Sequence, residues 1–198
     1  MMSTDEELIK EIQNGNQYAM EVLVKRHYKL LFSFVYRNVG DYHVASDITQ
    51  EVLIKLVKSI KNYKDEGKFK NWLLRIASNT CNDYYRSSKV VKDKSSVELD
   101  TNIVDTNSNV YEIMSRKVER QEIKNAITTL PEFQRNAIIL KYYHDLKIKD
   151  IAYITQSNES TVKSRLKQGI EKLKKVFVRG EEDEGIDKEQ YREVSGDS

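Results

Sequence analysis

The 198-residue chain has few of the residues that build disulfides, metal sites and tight turns: one cysteine, one proline, seven glycines and three histidines. A single cysteine, Cys81, excludes an intramolecular disulfide and predicts a small, partly buried hydrophobe. Three scattered histidines beside it do not make a plausible zinc site, so we expect no metal and no cofactor. So few glycines and prolines cannot supply the turns of a many-stranded fold, which favours an all-α protein.

Long apolar runs and catalytic motifs are missing as well. No apolar stretch approaches the roughly 20 residues that span a bilayer, and the acidic start MMSTDEE lacks the basic segment of a signal peptide. We therefore expect a reduced, cytoplasmic protein with no membrane insertion. Because no stretch resembles a nucleophile, a metal motif or a phosphate-cradling loop, we predict no catalytic residues and no enzyme activity.

The net charge of +2 conceals an uneven distribution along the chain. Residues 110–179 carry 15 basic and 8 acidic side chains, whereas residues 180–198 carry 2 and 8. A basic block favours a polyanionic partner, because phosphate contacts supply much of any affinity for DNA. The acidic end is poor in apolar residues and is predicted to be a disordered tail.

A helix-turn-helix pattern lies between Leu146 and Lys175, where two helical periods are separated by a turn that allows only a sharp corner. The second helix is predicted to begin at Asn158, a favourable N-cap. Opposite its apolar stripe lies a polar, cationic strip of Ser160, Lys163, Ser164 and Lys167, flanked by Thr161, Arg165 and Gln168. Such side chains can enter a major groove and bond base edges and phosphates. A solvated helix face is the alternative, but the preceding helix and the tight corner favour DNA binding.

Four helical patterns are predicted in the first half, over residues 5–14, 19–39, 43–59 and 69–87. The third exposes Asp47, Gln50, Glu51 and Ile54 opposite its apolar face. An apolar side chain among acids and amides fits an ordinary surface or the centre of a protein interface with a polar rim. The pattern alone favours neither.

The fourth pattern has a basic and amide face that includes Arg75, Asn79 and Arg86, and the loop before it holds Tyr63. Single-strand binding needs this combination, because bases stack on aromatic rings while cations follow the backbone. The alternative is that the neighbouring aromatic residues belong to the core and that Tyr63 has no particular role. We assign the neighbouring Trp72 to the core and expect the Tyr63 ring to be available to a base.

Between the halves, residues 89–109 show no sustained period and are predicted to be a flexible linker that lets two small domains, 1–88 and 110–179, engage separated sites. Helical period resumes near Tyr111, and Pro131 is predicted to lie in the first turn of a helix that supports the helix-turn-helix.

These residues resemble bacterial RNA polymerase sigma factors of the extracytoplasmic-function type, within the sigma-70 superfamily. Residues 47–56 and the spacing of the fourth helix resemble region 2 of that family. Residues 130–132, 150–152 and 161–166 resemble region 4. The similarity covers residues 5–177. It implies a promoter-specificity factor that binds polymerase core, recognises the minus-35 and minus-10 elements and promotes DNA opening.

The resemblance also implies a role for each strip. Core polymerase would be bound by Asp47, Gln50, Glu51 and Ile54, and the minus-10 element by Tyr63, Arg75, Asn79 and Arg86. The minus-35 element would be bound by Lys141, Ser160, Lys163, Ser164, Arg165, Lys167 and Gln168, with Lys141 and Arg165 on phosphates. An anti-sigma factor is a further expected partner, and the free chain is expected to be a monomer.

The chain departs from the family pattern at two corners. Family members usually carry glycine where this chain has Asp145, and glycine followed by an apolar residue where it has Gln156 and Ser157. A looser turn is therefore expected. Two other functions remain open on the sequence: a stand-alone helix-turn-helix regulator whose first half senses a signal, and a purely structural helical adaptor.

Overall fold

The structure is a computed structural model that describes residues 3–64, 67–91 and 122–194, with side chains in 3–64, 67–87 and 122–177. Within these ranges every regular element is helical, which confirms the all-α prediction. The predicted linker beyond residue 91 and the resumption of helix near Tyr111 lie outside the described residues.

The first half of the chain forms four α-helices and a short 3-10 turn. These are α1 (Asp5–Gln13), α2 (Gln17–Val39), α3 (Tyr42–Ser59), the turn Ile60–Asn62 and α4 (Phe69–Val91). Side-chain caps fix their starts: Thr4 forms a capping box on α1, and Asp41 accepts from the backbone N–H of Val44 at the start of α3. At the end of α2, Gly40 has a φ of 84°, a conformation that glycine adopts without steric cost.

The second half supplies the helix-turn-helix and its support. Its helices are α5 (described over residues 122–129), α6 (Glu132–Tyr142), α7 (Ile148–Ile154) and α8 (Glu159–Val194). The predicted cap is confirmed, because Oδ1 of Asn158 accepts from the backbone N–H of Thr161 at 2.8 Å. Pro131 lies one position earlier than predicted, as the N-cap of α6.

The backbone of α8 continues through residues 180–194, where the composition predicts a disordered tail. The acidic segment contains no proline and is rich in glutamate, which has a favourable helix propensity. A low content of apolar residues was therefore an insufficient reason to predict a disordered tail after residue 179.

Both predicted halves are present, but they pack against each other around a shared apolar core. Phe34 and Leu73 of the first half belong to the same cluster as Leu140 and Ile151 of the second. Helix α6 lies between the halves, contacting α2 and α4 on one side and α7 and α8 on the other. In this structure, then, the halves are not separated as the predicted flexible linker would allow.

Candidate functional site

An exposed strip follows α3, and its residues are those predicted from the helical period. Asp47, Gln50 and Glu51 are exposed, and the Ile54 side chain, one turn further along the helix, is 54% exposed. Val57, which the sequence reasoning missed, extends the apolar centre with 47% exposure, and its i, i+3 spacing from Ile54 was the available signal. We call Asp47, Gln50, Glu51, Ile54 and Val57 the α3 strip.

Packing on the opposite side holds the α3 strip toward solvent. Ala45, Val52 and Leu56 are fully buried on the core side of α3. Lys55 pairs with Glu51 at 2.7 Å and also donates to the Thr80 hydroxyl of α4 at 3.1 Å. The strip therefore combines acidic side chains and an accessible apolar centre on a rigid helix, which is the composition of an interface core with a polar rim.

The polar face of α4, by contrast, is largely covered by the second half of the chain. Arg75 lies with its guanidinium carbon 5.2 Å from the centre of the Tyr153 ring. Asn79 donates to the side-chain oxygen of Gln156 at 3.4 Å. Arg86, at the far end of the same face, is exposed.

Two further residues complete this surface. Asn71 donates to Asp150 at 3.0 Å, and Ser78 is fully buried. We call Asn71, Arg75, Ser78 and Asn79 the α4 face.

Tyr63 does not present its ring to a base in this structure. The side chain is 9% exposed, and its ring centre lies 4.8 Å from that of Trp72 and 5.6 Å from that of Phe69. The side-chain amide of Gln13 donates to the Tyr63 carbonyl at 3.1 Å, which anchors the backbone beneath α1. The prediction of an available ring is wrong for this conformation, because the ring packs against Phe69 and Trp72.

On α8 the predicted cationic strip faces solvent. Ser160, Lys163, Ser164 and Lys167 are all exposed. Gln168 is exposed too, but its side-chain oxygen accepts from Gln134 of α6 at 2.9 Å. We call Ser160, Lys163, Ser164, Lys167 and Gln168 the α8 strip.

The α8 strip is held rigidly by its opposite face. Val162 is fully buried and Leu166 is 8% exposed. These side chains anchor the start of α8 against the rest of the helix-turn-helix.

The two residues that were predicted to contact phosphates, Lys141 and Arg165, already contact other groups of this chain. Arg165 donates to the Ser157 hydroxyl at 3.1 Å, and its guanidinium carbon lies 4.9 Å from the centre of the Phe133 ring. Burial lowers the pKa of Arg165 from its ordinary value, although a guanidinium stays charged at neutral pH. Lys141 approaches the Leu146 carbonyl at 3.4 Å. Arg165 therefore ties the corner of the helix-turn-helix to α6.

The corners adopt the backbone for which the family pattern uses glycine. Asp145 and Gln156 both have a φ of 50°, a left-handed conformation that strains side chains with a Cβ. After Gln156, the backbone N–H of Ser157 donates to the Ala152 carbonyl at 3.0 Å, as in a Schellman motif. This hydrogen bond and the Arg165 contact close the corner.

Relief of this strain is measurable. We expect Gln156→Gly to raise the free energy of unfolding by about 1 kcal/mol, since glycine adopts a positive φ without a Cβ clash. Asp145→Gly should give a smaller gain, because aspartate tolerates the left-handed region better than glutamine. Urea denaturation checks both values.

The matched control for these variants is Lys172→Gly, at an exposed position inside α8. It should lower the free energy of unfolding by about 1 kcal/mol, the ordinary cost of glycine in a helix. A loss of stability in Gln156→Gly similar to that of the control would contradict the strained corner.

The described residues include neither a metal-ligand cluster nor a membrane-spanning helix. Among them, no group of three or more histidine, cysteine, aspartate or glutamate side chains is placed to hold a metal ion. Across the same part of the chain, no helix has the length and apolar character needed to cross a membrane. Burial raises the pKa of the Cys81 thiol to about 12, which disfavours the reactive thiolate.

A helical unit with an exposed apolar and acidic strip, packed beside a helix-turn-helix unit, is the architecture of a sigma-70-type transcription factor. Residues 23–90 match the family model described as Sigma-70 region 2, and residues 120–173 match Sigma-70, region 4.

Curated relatives and a solved structure narrow the class. The chain is 30% identical over 171 residues to the ECF RNA polymerase sigma-E factor of Haemophilus influenzae, covering 82% of this chain and 89% of that protein. It is 28% identical over 181 residues to the RNA polymerase sigma-H factor of Pseudomonas aeruginosa, covering 87% and 93%. The fold matches the sigma factor RpoE of Bartonella quintana, solved with the anti-sigma factor NepR, with a TM-score of 0.64 at 22% identity over 79% of this chain and 95% of that one.

The chain therefore belongs to the extracytoplasmic-function, or ECF, family of RNA polymerase sigma factors. Its function is promoter specificity in transcription initiation, and the predicted family resemblance is confirmed.

Proposed function

We propose that the α3 strip is the surface by which this sigma factor docks on RNA polymerase core. The observation that carries the proposal is the exposure of Ile54 and Val57 on the helix turns that follow the exposed Asp47, Gln50 and Glu51. An exposed apolar pair on a rigid helix gains free energy when a partner removes it from water, and the acidic rim selects a partner with basic side chains. Through the family resemblance, that partner is the clamp coiled coil of the largest polymerase subunit.

The α8 strip is the surface that reads the minus-35 element as duplex. Lys163 and Lys167 can donate to guanine acceptors in the major groove, and Ser160, Ser164 and Gln168 add shorter polar contacts. This part of α8 is held rigidly at its other face by Val162 and Leu166. Lys141 and Arg165 contribute less to phosphate binding than the sequence predicts, because both already contact protein groups.

The minus-10 element is taken by the α4 face together with Arg86. Asn79 offers an amide to an unpaired base, and Arg75 and Arg86 follow the phosphates of an opened strand. Tyr63 supports this surface from the core, through its contact with Trp72, rather than by stacking on a base in this conformation.

The sigma factor supplies recognition and the polymerase supplies catalysis. The chain thus acts in the cytoplasm without enzyme activity, metal or cofactor of its own. An anti-sigma factor is proposed as its inhibitory partner, in keeping with the Bartonella structure, in which a sigma factor is bound to one.

Equilibrium binding with and without core tests this proposal against a stand-alone regulator. A random-sequence duplex pool is incubated with the chain alone, with core alone, and with both, and the retained duplexes are sequenced. We expect a two-part motif only when chain and core are together. Enrichment of the same motif by the chain alone, at equal affinity, would favour the stand-alone regulator.

The salt dependence of binding tests the position of Arg165. Loss of one phosphate contact reduces the slope of log affinity against log salt by about 0.9. We expect Arg165→Ala to weaken binding of holoenzyme to its selected duplex with that slope unchanged, since Arg165 is engaged by Ser157 and Phe133. Lys167→Ala, which removes one exposed cation from the same helix, is the matched comparison. A slope reduced by about 0.9 in Arg165→Ala would show that Arg165 does contact a phosphate.

A further inference from the structure

The segment between α3 and α4 carries three exposed lysines, Lys61, Lys64 and Lys68. Lys68 directly precedes the first residue of α4, so these cations lead into the helix that carries the α4 face. Cations in this place can follow the phosphates of a single strand whose bases reach that face. We call the described residues of this segment, 60–64 and 67–68, the α3–α4 loop.

Gln13, the last residue of α1, contacts the start of the α3–α4 loop. Its side-chain nitrogen donates to the Tyr63 carbonyl at 3.1 Å and to the Ile60 carbonyl at 3.4 Å. Because a carbonyl oxygen only accepts, the NH2 group of the amide must face both partners, which fixes the orientation of the side chain. Ile60 begins the 3-10 turn and Tyr63 follows its end. One side chain therefore connects α1 to both ends of this turn.

Alpha helix α1 also stabilises the far end of the loop, through α2. The Asp5 carboxylate accepts from Nε2 of His27 at 2.8 Å. The His27 ring packs edge to face against Phe69, with ring centres 5.2 Å apart, and Phe69 is the first residue of α4. The rings of Tyr63 and Phe69 lie 5.6 Å apart. The residues on which α1 acts at the two ends of the loop are thus in contact with each other.

These contacts reach the nucleic-acid surface only through the loop. Gln13 is an exposed residue of α1, and α1 packs on α2 and on the 3-10 turn. A loop that is ordered before binding avoids the entropic cost of being ordered by its ligand. Contacts behind a recognition surface also keep its side chains in the geometry that distinguishes one ligand from another.

We propose that Gln13 is a positioning residue for recognition of the minus-10 element, because its two hydrogen bonds fix the course of the α3–α4 loop beside the α4 face. The proposal rests on the assignment of that face to the opened strand. With the loop in place, its lysines and the α4 face meet the same strand, and the bases are presented in one register. Loss of the two hydrogen bonds therefore relaxes base preference and leaves docking on core unchanged.

The first test follows the loop in the free chain, without polymerase. Gln13→Met removes both donors, while methionine is about as long as glutamine and has a similar helix propensity. Trp72 is the only tryptophan in the sequence, and its ring centre lies 4.8 Å from that of Tyr63, so its fluorescence reports on the start of the loop. We expect acrylamide to quench Trp72 more strongly in Gln13→Met than in the unaltered chain.

A second variant distinguishes the hydrogen bonds from the mere presence of the glutamine side chain. The ammonium of lysine has three donors and no acceptor, so Gln13→Lys can still donate to both carbonyls. We expect Gln13→Lys to return the quenching of Trp72 to the unaltered value. Equal quenching in the unaltered chain and in Gln13→Met would show that Gln13 does not fix the loop.

The second test measures base preference with holoenzyme. Single-stranded oligonucleotides from the minus-10 part of the selected duplexes compete for binding, with each of the four bases at each position. One hydrogen bond contributes about two- to tenfold to an equilibrium constant. We expect Gln13→Met to lower the preference at one position by about that factor, with binding of core and of the minus-35 duplex unchanged, and Gln13→Lys to retain the preference.

Gln17→Met is the matched control, because it makes the same chemical change at an exposed residue of α2. It should alter neither the quenching of Trp72 nor the base preference. A full preference in Gln13→Met, or an equal loss of affinity for every sequence, would overturn the positioning role. If the unaltered holoenzyme shows no preference among single strands, the proposed function of the α4 face is rejected instead, whatever the quenching of Trp72 shows about the loop.

Discussion

Replacing Asp47 and Glu51 together by lysine is expected to reduce transcription with core polymerase to the level of core alone. Both carboxylates are exposed beside Ile54, so the double change reverses the charge of the rim without filling the apolar centre. Losing one member of a charge pair that a partner desolvates costs about 2–5 kcal/mol, and like charges in its place add repulsion. Binding of the variant to core is measured directly, by gel filtration and by fluorescence titration. These measurements distinguish a loss of docking from a defect in a later step of initiation.

The fold should survive this change. Among the described residues, the ion pair of Glu51 is with the partly exposed Lys55, and such surface pairs contribute about 0–1 kcal/mol. The matched control reverses Glu11 and Glu21, two exposed acids on α1 and α2. Equal binding of core by the Asp47 and Glu51 variant, or an equal loss in the control, would remove the α3 strip from the interface.

The second large effect is expected at Lys163. Its replacement by alanine should weaken binding of the minus-35 duplex by about 1–3 kcal/mol and relax the base preference at one position, if the ammonium donates to a base edge. Lys163 lies in the middle of the exposed α8 strip. Competition binding with every single-base variant of the selected duplex gives both the loss and its sequence dependence.

Lys172→Ala is the control, because Lys172 is exposed on the opposite side of the same helix. It should leave the base preference intact. An equal loss for Lys163→Ala on every sequence would make Lys163 a phosphate contact, and no loss on any sequence would exclude it from the interface.

Helical period was enough to predict the solvent-facing sides of α3 and α8, but it did not predict that the polar face of α4 is covered. The side of α3 that carries Ile54 and the side of α8 that carries Lys163 follow from the position of the buried residues on the same helix, because residues three and four apart share a face. The N-cap at Asn158 was predictable for the same local reason. These features depend on neighbours within a few residues along the chain.

The contacts that the sequence did not predict join residues that are far apart along the chain. The backbone carbonyl of Tyr63 accepts a hydrogen bond from the side-chain amide of Gln13, 50 positions away. Arg135 and its partner Asn38 are separated by 97 positions. No local pattern reports such contacts, although three consecutive polar residues, 134–136, beside an apolar run in α6 were an unused signal.

The two corners show how a family pattern and backbone geometry complement each other. The sequence marked Asp145 and Gln156 as departures from glycine, and both have a positive φ. What the sequence could not show is that Ser157, in place of an apolar residue, accepts a hydrogen bond from Arg165. Because of the same contact, the Arg165 guanidinium is less available to bind a phosphate.

Run-off transcription is the most direct test of promoter recognition by this chain. Purified core polymerase is supplied with templates from the selected duplex pool, with the chain present or absent. We predict transcripts of one defined length only when the chain is present, and none with the Asp47 and Glu51 reversal. Transcripts of that length from core alone, or no transcripts with the unaltered chain, would contradict its role as the promoter-specificity factor.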